Sequence, residues 1–393
     1  MDELGGGALA GVRVLELATL YSAPLIGAML GDLGADVVKI ETPAGDPMRT
    51  MGEMRDGHSL GWAHVGRNKR SVVLDLEAPG DRATMGRLVA CADVLITNQP
   101  PDVLTRWGCA WPQVSVRNPR LVAVEMSAYG SDGPFGGIPG NGSISEAFGG
   151  AASMIGEPDG PPMLPSLPLG DTLAAWQGAL GTVAALYARD ANGGTGQRID
   201  LAMYEPVLAL LATASLGWSP DRPAPRRNGS RVDGAVPRNC YRTADDHYVV
   251  ISGPTDPQVA RILELLGRTG PTDRARFGSA PSRLVHGDEL DGLVADWVRT
   301  HTATEVLGTM NALRIPHSPV NDLGDIAAHP QVHHRRSLVD VQDPTAGPFT
   351  MPAPLPPLGA TPSRVRSAAP ALGAHRDAVL AEWLGPESQS PVE

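Results

Sequence analysis

The sequence has few cysteines, few lysines and no long apolar run, and whole classes of protein require cysteines, lysines or such a run. Its 393 residues include three cysteines, Cys91, Cys109 and Cys240, and two lysines. The cysteines are odd in number and far apart, which indicates reduced thiols rather than a disulfide framework or a metal site. There is no run of eighteen apolar residues and no basic, then apolar, leader, so we expect neither a membrane span nor a secretory signal. These features favour a cytoplasmic protein.

Positive charge is also scarce. The chain has 43 acidic residues against 32 lysines and arginines, which gives a formal net charge of −11. Nucleic-acid binding requires a basic face, so we expect no nucleic-acid partner. The two lysines, Lys39 and Lys69, both fall in the first seventy residues and weakly indicate a local anion site there.

Several familiar catalytic motifs are missing. The turn after the first predicted strand, at 18–24, lacks the glycines that admit a dinucleotide pyrophosphate, so NAD and FAD are not expected. Neither lysine belongs to a Walker A loop, and no H-E-x-x-H or G-x-S-x-G pattern is present. His333 and His334 are flanked by arginines, which is typical of a solvated surface, and we expect no metal site.

Alternating strands and helices predict the architecture of the first half. Residues 12–17, 24–33 and 36–40 form a β–α–β pattern. It continues with strands at 71–76, 93–97, 121–126 and 198–202, and with helices at 81–90, 172–189 and 206–216. Such alternation is typical of an α/β fold with a mostly parallel sheet covered by helices on both faces.

The length and two proline-rich stretches predict a second domain. A chain of 393 residues exceeds the usual size of one hydrophobic core. We predict linkers at 219–228 and 344–362, a large domain from 1–218 and 331–393, and a small α+β domain at 229–330. The small domain is expected to hold a strand at 247–252 and helices near 258–266, 289–300 and 303–313. A last helix near 375–384 is expected to return to the large domain.

Asp171 is the most informative position. It lies between a proline-rich approach at 161–170 and the helix predicted at 172–189, whose apolar residues recur at helical spacing. One interpretation is an N-cap, in which the carboxylate accepts a bond from a backbone N–H. The other is a nucleophilic carboxylate, kept ionised by the positive end of the helix. Residues of this segment alone leave both open.

A glycine-rich stretch at 129–142 follows a predicted strand end. Ligands collect outside the carboxyl ends of parallel strands, which favours a binding loop. A flexible connection explains the same composition, so this alternative also stays open.

Several blocks of the sequence together resemble one family, the class III coenzyme A transferases, which includes formyl-CoA transferases, crotonobetainyl-CoA transferases and α-methylacyl-CoA racemases. The likeness runs from about Gly11 to Gly385. Its blocks, in chain order, are 31–41, 68–76, 92–98, 194–197, 315–322 and 370–375.

This resemblance implies both an architecture and a nucleophile. It implies a large Rossmann-like domain and a small domain, with two chains interlocked as rings in a homodimer. The family nucleophile follows a glycine before a long helix, which corresponds to Asp171 after Gly170. By the same likeness, Asp171 attacks an acyl-CoA thioester to give an aspartyl anhydride and then an aspartyl-CoA thioester, and CoA passes to an acceptor acid. Acyl-CoA and carboxylic acids are the implied substrates, with no tightly bound cofactor.

The resemblance also implies ligand contacts. An oxyanion donor is expected from the loop of Gly140, Asn141 and Gly142. The implied CoA contacts are Tyr21, Ser22, Lys39, Arg67, Asn68, Asn98 and Arg106.

Two other functions remain possible on sequence. A racemase of the same fold needs two proton-transfer groups. Its relatives carry histidine and glutamate where this chain has Asn141 and Arg242, and this difference favours transfer. A non-catalytic acyl-CoA-binding protein is disfavoured by the presence of Gly170 and Asp171. The family suggests succinyl-CoA or another short donor, with selectivity set in part by residues 230–236.

Overall fold

The computed structural model describes residues 6–221 and 224–385. Arg222 and Pro223 of the first predicted linker, and both ends of the predicted large domain, lie outside the described residues. The strands are β1 (Arg13–Leu17), β2 (Asp36–Glu41), β3 (Met54–Arg55), β4 (His58–Ser59), β5 (Lys69–Val73), β6 (Val94–Thr97), β7 (Val122–Ser127), β8 (Arg198–Ala202), β9 (Arg238–Arg242), β10 (Tyr248–Ser252), β11 (His317–Pro319), β12 (Leu338–Asp343) and β13 (Gly347–Pro352).

Helices separate most of these strands, and a short 3-10 turn covers Pro47–Thr50. The helices are α1 (Ser22–Asp32), α2 (Leu60–Gly66), α3 (Pro79–Cys91), α4 (Pro101–Trp107), α5 (Trp111–Arg117), α6 (Gly142–Phe148), α7 (Ala151–Met154), α8 (Leu169–Ala191), α9 (Tyr204–Ala209), α10 (Ala212–Gly217), α11 (Asp256–Leu265), α12 (Pro271–Phe277), α13 (Ala280–Val285), α14 (Gly287–Arg299), α15 (Ala303–Ala312), α16 (Leu323–Ala328), α17 (Pro330–Arg335) and α18 (Arg376–Leu384).

A six-stranded parallel sheet organises the larger part of the chain. Its strand order is β5-β2-β1-β6-β7-β8, and every neighbouring pair is parallel. Alternate residues of β1 face opposite sides of the sheet. Val14 packs into a core with α1 and α8, whereas Leu15 packs into a core with α3 and α18. Because helices cover both faces, most residues of β1, β2, β6 and β7 are buried, as in most parallel strands, and the charged Glu16 and Lys39 are buried among them. The predicted α/β fold with a parallel sheet is confirmed.

The described residues divide into two compact units. The larger unit comprises 6–153, 164–221 and 334–385, and it holds the parallel sheet. The smaller unit comprises 154–163 and 224–333. In it, β9, β10 and β11 form an antiparallel sheet whose apolar side chains pack against α11, α14 and α15.

Some local predictions differ from the structure. The helix predicted at 206–216 is two short helices, α9 and α10. The hairpin of β12 and β13 occupies 338–352, where the second linker was predicted to begin. Proline content alone does not reveal this hairpin, because Pro348 and Pro352 lie within its second strand. The linker and domain assignments stay predictions.

Candidate active site

The strand order creates a crevice between the carboxyl ends of β1 and β6. From β1 the chain builds the sheet outward through β2 and β5, and from β6 it builds in the opposite direction. Helices therefore leave these two neighbouring strands toward opposite faces, and ligands of α/β folds bind at such a point.

Asn98, which follows β6, fixes the loop that follows β1. Its side-chain oxygen accepts a bond from the Thr19 N–H at 3.0 Å, and its amide donates to the Thr19 carbonyl at 2.9 Å. The next residue, Leu20, has a φ of 70°, a left-handed conformation that is unfavourable for a leucine. Its N–H donates to Asp46 at 3.0 Å. Asn98 thus orients the loop that leads to Tyr21.

Tyr21 and Ser22 lie beside Asp171, although about 150 residues separate them in sequence. The Ser22 hydroxyl donates to the Asp171 backbone carbonyl at 2.9 Å. The Tyr21 ring stacks on His64 with centroids 5.9 Å apart. Burial raises the pKa of the Tyr21 phenol, a hydrogen bond with Thr172 lowers it, and the charge of Asp171 raises it further. Tyr21 therefore stands near Asp171 as a neutral phenol.

Asp171 is the third residue of α8, not its cap. The N-cap is Pro168, which makes no side-chain cap bond, so the capping interpretation of Asp171 is wrong. The helix begins earlier than the sequence pattern predicts because Leu169 and Gly170 already belong to its first turn. Asp171 is half-buried there, at the positive end of a helix of 23 residues.

The start of α6 lies against the Asp171 side chain. A Cβ atom on Gly142 would lie 2.5 Å from Cγ of Asp171, and one on Gly170 would lie 2.7 Å from the Gly142 carbonyl oxygen. Only glycine fits at these two positions, since real Cβ atoms do not approach other atoms so closely. The two helix starts therefore touch backbone to backbone.

The three residues of the predicted oxyanion loop, Gly140, Asn141 and Gly142, make different contacts. Gly142 contacts Asp171, as described above. The Asn141 side chain caps α6 by accepting a bond from the Ile144 N–H at 3.2 Å. Gly140 lies against Ala128, because a Cβ there would be 2.5 Å from that of Ala128.

Electrostatics at Asp171 depend on a residue that the sequence did not single out. Burial and the negative charge of Glu146 raise the pKa of Asp171 to about 6, and a hydrogen bond from the Gly142 backbone lowers it. Glu146 is 2% exposed, and its Oε1 accepts a bond from the Gly170 N–H at 2.8 Å. Its spacing of four residues from Gly142 places both on one face of α6. This spacing could have identified Glu146 from the sequence, but only if a helix had been predicted at 142–148.

Lys39 is placed differently from its predicted role. Its ammonium is fully buried and lies 2.9 Å from Glu16 and 2.8 Å from Asp46. It also donates to the Ala18 carbonyl at 2.8 Å. Three interior acceptors already occupy its donors, which argues against the predicted contact with a nucleotide phosphate.

Arg67 and Asn68 also form hydrogen bonds to other residues in the protein interior. Arg67 forms two bonds to the carboxylate of Asp32, at 3.0 and 2.6 Å, and is 5% exposed. The Asn68 amide donates to Asp32 and to the Arg364 carbonyl, both at 2.8 Å, and its oxygen accepts from the Arg366 N–H. These contacts join α1 to the chain segment before α18, and they disfavour phosphate binding by either residue.

Arg106 remains accessible on α4, beyond β6. About half of its side chain is exposed, and its Nε lies 3.3 Å from Glu77. A single exposed ion pair of this kind is weak and can be exchanged for a ligand contact. Among the predicted cationic contacts, Arg106 is the one whose placement suits an anionic ligand.

A second cavity, of about 470 Å³, opens at the ends of β7 and β8. Four aromatic rings line it and contact one another edge to face or at a tilt: Tyr129, Phe135, Phe148 and Tyr204. Because Phe135 belongs to the glycine-rich stretch and Phe148 ends α6, this cluster holds that loop against the helix that touches Asp171.

The smaller unit contains residues 230–236, predicted to influence selectivity. Arg231 lies there and pairs with Asp288 and, at 2.9 Å, with the buried Asp291. Asp291 also accepts bonds from Asn239, at 2.6 Å, and from Tyr241. Arg231 is therefore held in a defined position by two carboxylates.

No grouping of three or more potential metal ligands occurs in the part of the chain that the structure describes. Over the same residues, no helix is long and apolar enough to cross a bilayer.

Comparison with known proteins gives a consistent assignment. The profile of CoA-transferase family III matches residues 9–376. The succinyl-CoA–D-citramalate CoA-transferase of Chloroflexus aurantiacus is 35% identical over 376 residues, which cover 95% of this chain and 93% of that protein. The beta subunit of the succinyl-CoA–L-malate CoA-transferase from the same organism is 37% identical, with 96% and 94% covered.

The fold has solved relatives as well. A crystal structure of a CAIB/BAIF family protein from Brucella suis superimposes with a TM-score of 0.82 and 27% identity, over 96% of this chain and all of that one. Since the family profile matches residues 9–376 and the two relatives align over more than 90% of both chains, the chain belongs to CoA-transferase family III and is an enzyme of this class.

Proposed function

We propose that the enzyme moves CoA from an acyl-CoA thioester to a free carboxylic acid, with Asp171 as the covalent nucleophile. The observation that carries the proposal is the placement of the Asp171 carboxylate. It is half-buried at the start of α8, in contact with Gly142 of α6 and next to Tyr21 and Ser22. A carboxylate in this position combines a positive helix end with partial exclusion of water.

The reaction follows from carboxylate chemistry. An oxygen of Asp171 bonds to the thioester carbonyl carbon, the C–S bond breaks, and its electron pair leaves as CoA thiolate. The thiolate then attacks the Asp171 carbonyl of the anhydride and releases the donor acid. The acceptor carboxylate attacks the resulting aspartyl-CoA thioester and expels CoA thiolate. The thiolate finally attacks the acceptor carbonyl of the new anhydride and releases the Asp171 carboxylate. Acyl activation is conserved at every exchange, so no ATP is consumed.

The local electrostatics suit this nucleophile. With a pKa raised to about 6, Asp171 is mostly ionised at neutral pH, yet it is less solvated than a surface carboxylate. The Gly142 N–H is a ready donor for the oxyanion that forms when either the thioester or the aspartyl carbonyl is attacked. Asn141 stays engaged as a helix cap, and its amide does not ionise at neutral pH and so cannot act as an acid or base, which supports transfer over racemisation.

We propose a short dicarboxylic donor and acceptor, with succinyl-CoA as the donor. The names of two relatives with over 90% mutual coverage pair succinyl-CoA with D-citramalate and with L-malate. A second carboxylate on the substrate needs a cationic partner. Residues 230–236 remain the predicted contributors to selectivity, and Arg231 within them is paired with Asp288 and Asp291.

For CoA itself we propose contacts from Tyr21, Ser22, Asn98 and Arg106, which follow β1 and β6. We propose structural roles for Lys39, Arg67 and Asn68 instead, because their polar groups bind other residues in the interior. No tightly bound cofactor is proposed. The three free cysteines support a location in the reducing cytoplasm.

A homodimer of interlocked rings, with the large and small domains predicted from the sequence, is the proposed assembly. The apolar residues that mark α8 in the sequence support it. Trp176, Leu180, Val183 and Tyr187 are 52%, 65%, 37% and 74% exposed, whereas small residues such as Ala174 and Gly178 form the buried face of the helix. An apolar stripe of this size at the surface is typical of a protein interface.

The test is to trap the covalent intermediate. Pure enzyme is incubated with succinyl-CoA, quenched with hydroxylamine, and digested for peptide mass spectrometry. We expect modification at Asp171 that requires acyl-CoA and is absent in Asp171→Ala. The matched control is Asp377→Ala, which removes an exposed first-turn aspartate from α18 and should leave both labelling and turnover intact.

Two outcomes would change the proposal. Turnover by Asp171→Ala would contradict its role as nucleophile. The absence of an adduct, together with deuterium appearing at the α-carbon of the acyl-CoA in heavy water, would instead assign a racemase.

A further inference from the structure

Glu146 is a buried acid with a defined contact to the start of α8. Its Oε1 accepts the Gly170 N–H at 2.8 Å, and the side chain is 2% exposed. Gly170 immediately precedes Asp171, so this bond acts on the peptide that carries the proposed nucleophile. The close approach is possible because Gly170 lacks a side chain: a Cβ there would lie 3.2 Å from Cγ of Glu146.

No ion pair of the described residues neutralises Glu146. Its counterpart is instead the positive end of α8, through the Gly170 N–H. The negative charge of Glu146 from α6 acts on Asp171, and the charge of Asp171 in turn acts on the neutral Tyr21 before α1. The proposed nucleophile therefore faces a like charge from α6, a helix without a cationic side chain.

Acylation changes this balance. When an Asp171 oxygen bonds to the acyl carbon, the negative charge departs with CoA thiolate, and the Asp171 side chain becomes a neutral anhydride. Repulsion with Glu146 then disappears. The repulsion thus destabilises the free Asp171 carboxylate relative to both of its acylated forms.

We propose that Glu146 is a positioning residue with two effects: its hydrogen bond to Gly170 orients the first turn of α8, and its charge favours conversion of Asp171 to the covalent intermediates. This inference rests on the proposed role of Asp171 as nucleophile. Neither the sequence blocks of the family resemblance nor the predicted site included Glu146.

Glu146→Gln separates the two effects, because glutamine can still accept the Gly170 hydrogen bond but carries no charge. The experiment measures the fraction of enzyme labelled at Asp171 by saturating succinyl-CoA as a function of pH. In the wild type we expect labelling to rise with an inflection near the raised pKa of about 6. In the variant we expect the inflection to move down by about one pH unit.

At pH 8, where Asp171 is ionised in both proteins, the variant should carry about tenfold less intermediate relative to free enzyme, since one unit of pKa corresponds to a tenfold change in equilibrium.

Glu264→Gln is the matched control, because it removes a charge from an exposed position of another helix, α11. It should reproduce the wild-type profile. Glu146→Asp keeps the charge but shortens the reach to Gly170, so we expect it to lower the labelling rate while the inflection stays near that of the wild type.

The outcomes are distinguishable. A wild-type adduct with the same pH profile and the same abundance in Glu146→Gln overturns the role of Glu146 and leaves the nucleophile assignment intact. A wild-type inflection near 4, the ordinary range of an aspartate, overturns it without any variant, so a misfolded variant does not prevent the test. Failure to label wild-type Asp171 under any condition overturns the proposed function and this inference together.

Discussion

A Cβ atom on Gly142 would lie 2.5 Å from Cγ of Asp171, so the first turn of α6 lies directly against the proposed nucleophile. This contact brings a backbone N–H to the carboxylate and sets the distance between α6 and α8. It also makes residue 142 sensitive to the smallest possible substitution.

Gly142→Ala is expected to displace the Asp171 side chain and to lower kcat/KM by about 100-fold, the typical effect of misplacing a catalytic group by about 1 Å. Overpacking should also cost about 1–3 kcal/mol of stability. The matched control is Gly80→Ala, near the start of α3, where a Cβ would meet nothing within 4 Å. Steady-state kinetics and thermal unfolding of both variants check this. Equal activity in the two would show that the close contact does not constrain the nucleophile.

The ionisation of Asp171 links stability to pH. Its pKa is raised in the folded state to about 6, above the value of about 4 in the unfolded chain. The folded protein therefore binds more protons between these values, and the contribution of Asp171 to stability is lost as pH rises from about 4 through about 6. Asp171→Asn removes this loss. We expect the variant to gain stability relative to the wild type across that interval and to keep the gain at pH 7, as measured by thermal unfolding at each pH.

Asp377→Asn provides the control for that measurement, since it removes an exposed aspartate from the first turn of another helix. A difference between Asp171→Asn and the wild type that is constant from pH 4 to 7 would contradict the raised pKa.

Lys39 distinguishes a structural cation from a ligand contact. Lys39→Met leaves Glu16 without one of its two cationic partners and Asp46 without its own, in a fully buried site. Breaking such a pair from one side is expected to cost about 3–5 kcal/mol. We therefore expect a large fall in denaturation midpoint. Arg106→Ala, on the exposed α4, should leave stability within about 0.5 kcal/mol and raise KM for acyl-CoA instead. An unchanged unfolding midpoint for Lys39→Met, with a raised KM, would restore the predicted phosphate contact.

The exposed stripe on α8 tests the proposed homodimer. Leu180→Glu places a charge in the middle of a surface formed with Trp176, Val183 and Tyr187, and it should yield monomer or unassembled chain in sedimentation velocity. Val116→Glu alters an apolar residue of α5 that is 82% exposed and should leave assembly intact. Wild-type unfolding should depend on protein concentration, because separation of interlocked chains requires unfolding. A wild-type protein that sediments as a monomer would refute this assembly.

The sequence by itself determined the α/β architecture of the large part of the chain. Runs such as 12–17 and 36–40 are short, rich in valine, leucine and isoleucine, and separated by helical segments, and a parallel sheet covered on both faces buries them. It also pointed to Asp171, because this acid precedes the helix predicted at 172–189, and the family resemblance placed the nucleophile at this position after Gly170. Local periodicity carries this information, so it survives without knowledge of distant contacts.

Only the tertiary structure decided what surrounds that aspartate. Gly142, Glu146, Ser22 and Tyr21 come to Asp171 from α6 and from the start of α1, and no local pattern reports such contacts. Lys39 reads as an anion ligand in sequence, yet burial among acidic side chains makes it part of the interior. An apolar stripe on a helix usually faces the core. In α8 the small residues on the other side pack on α1 instead, and the stripe stays exposed. Pairing and burial arise from residues far apart in the chain, which is why the sequence indicated Asp171 as the proposed nucleophile but not the charge of Glu146 that acts on it.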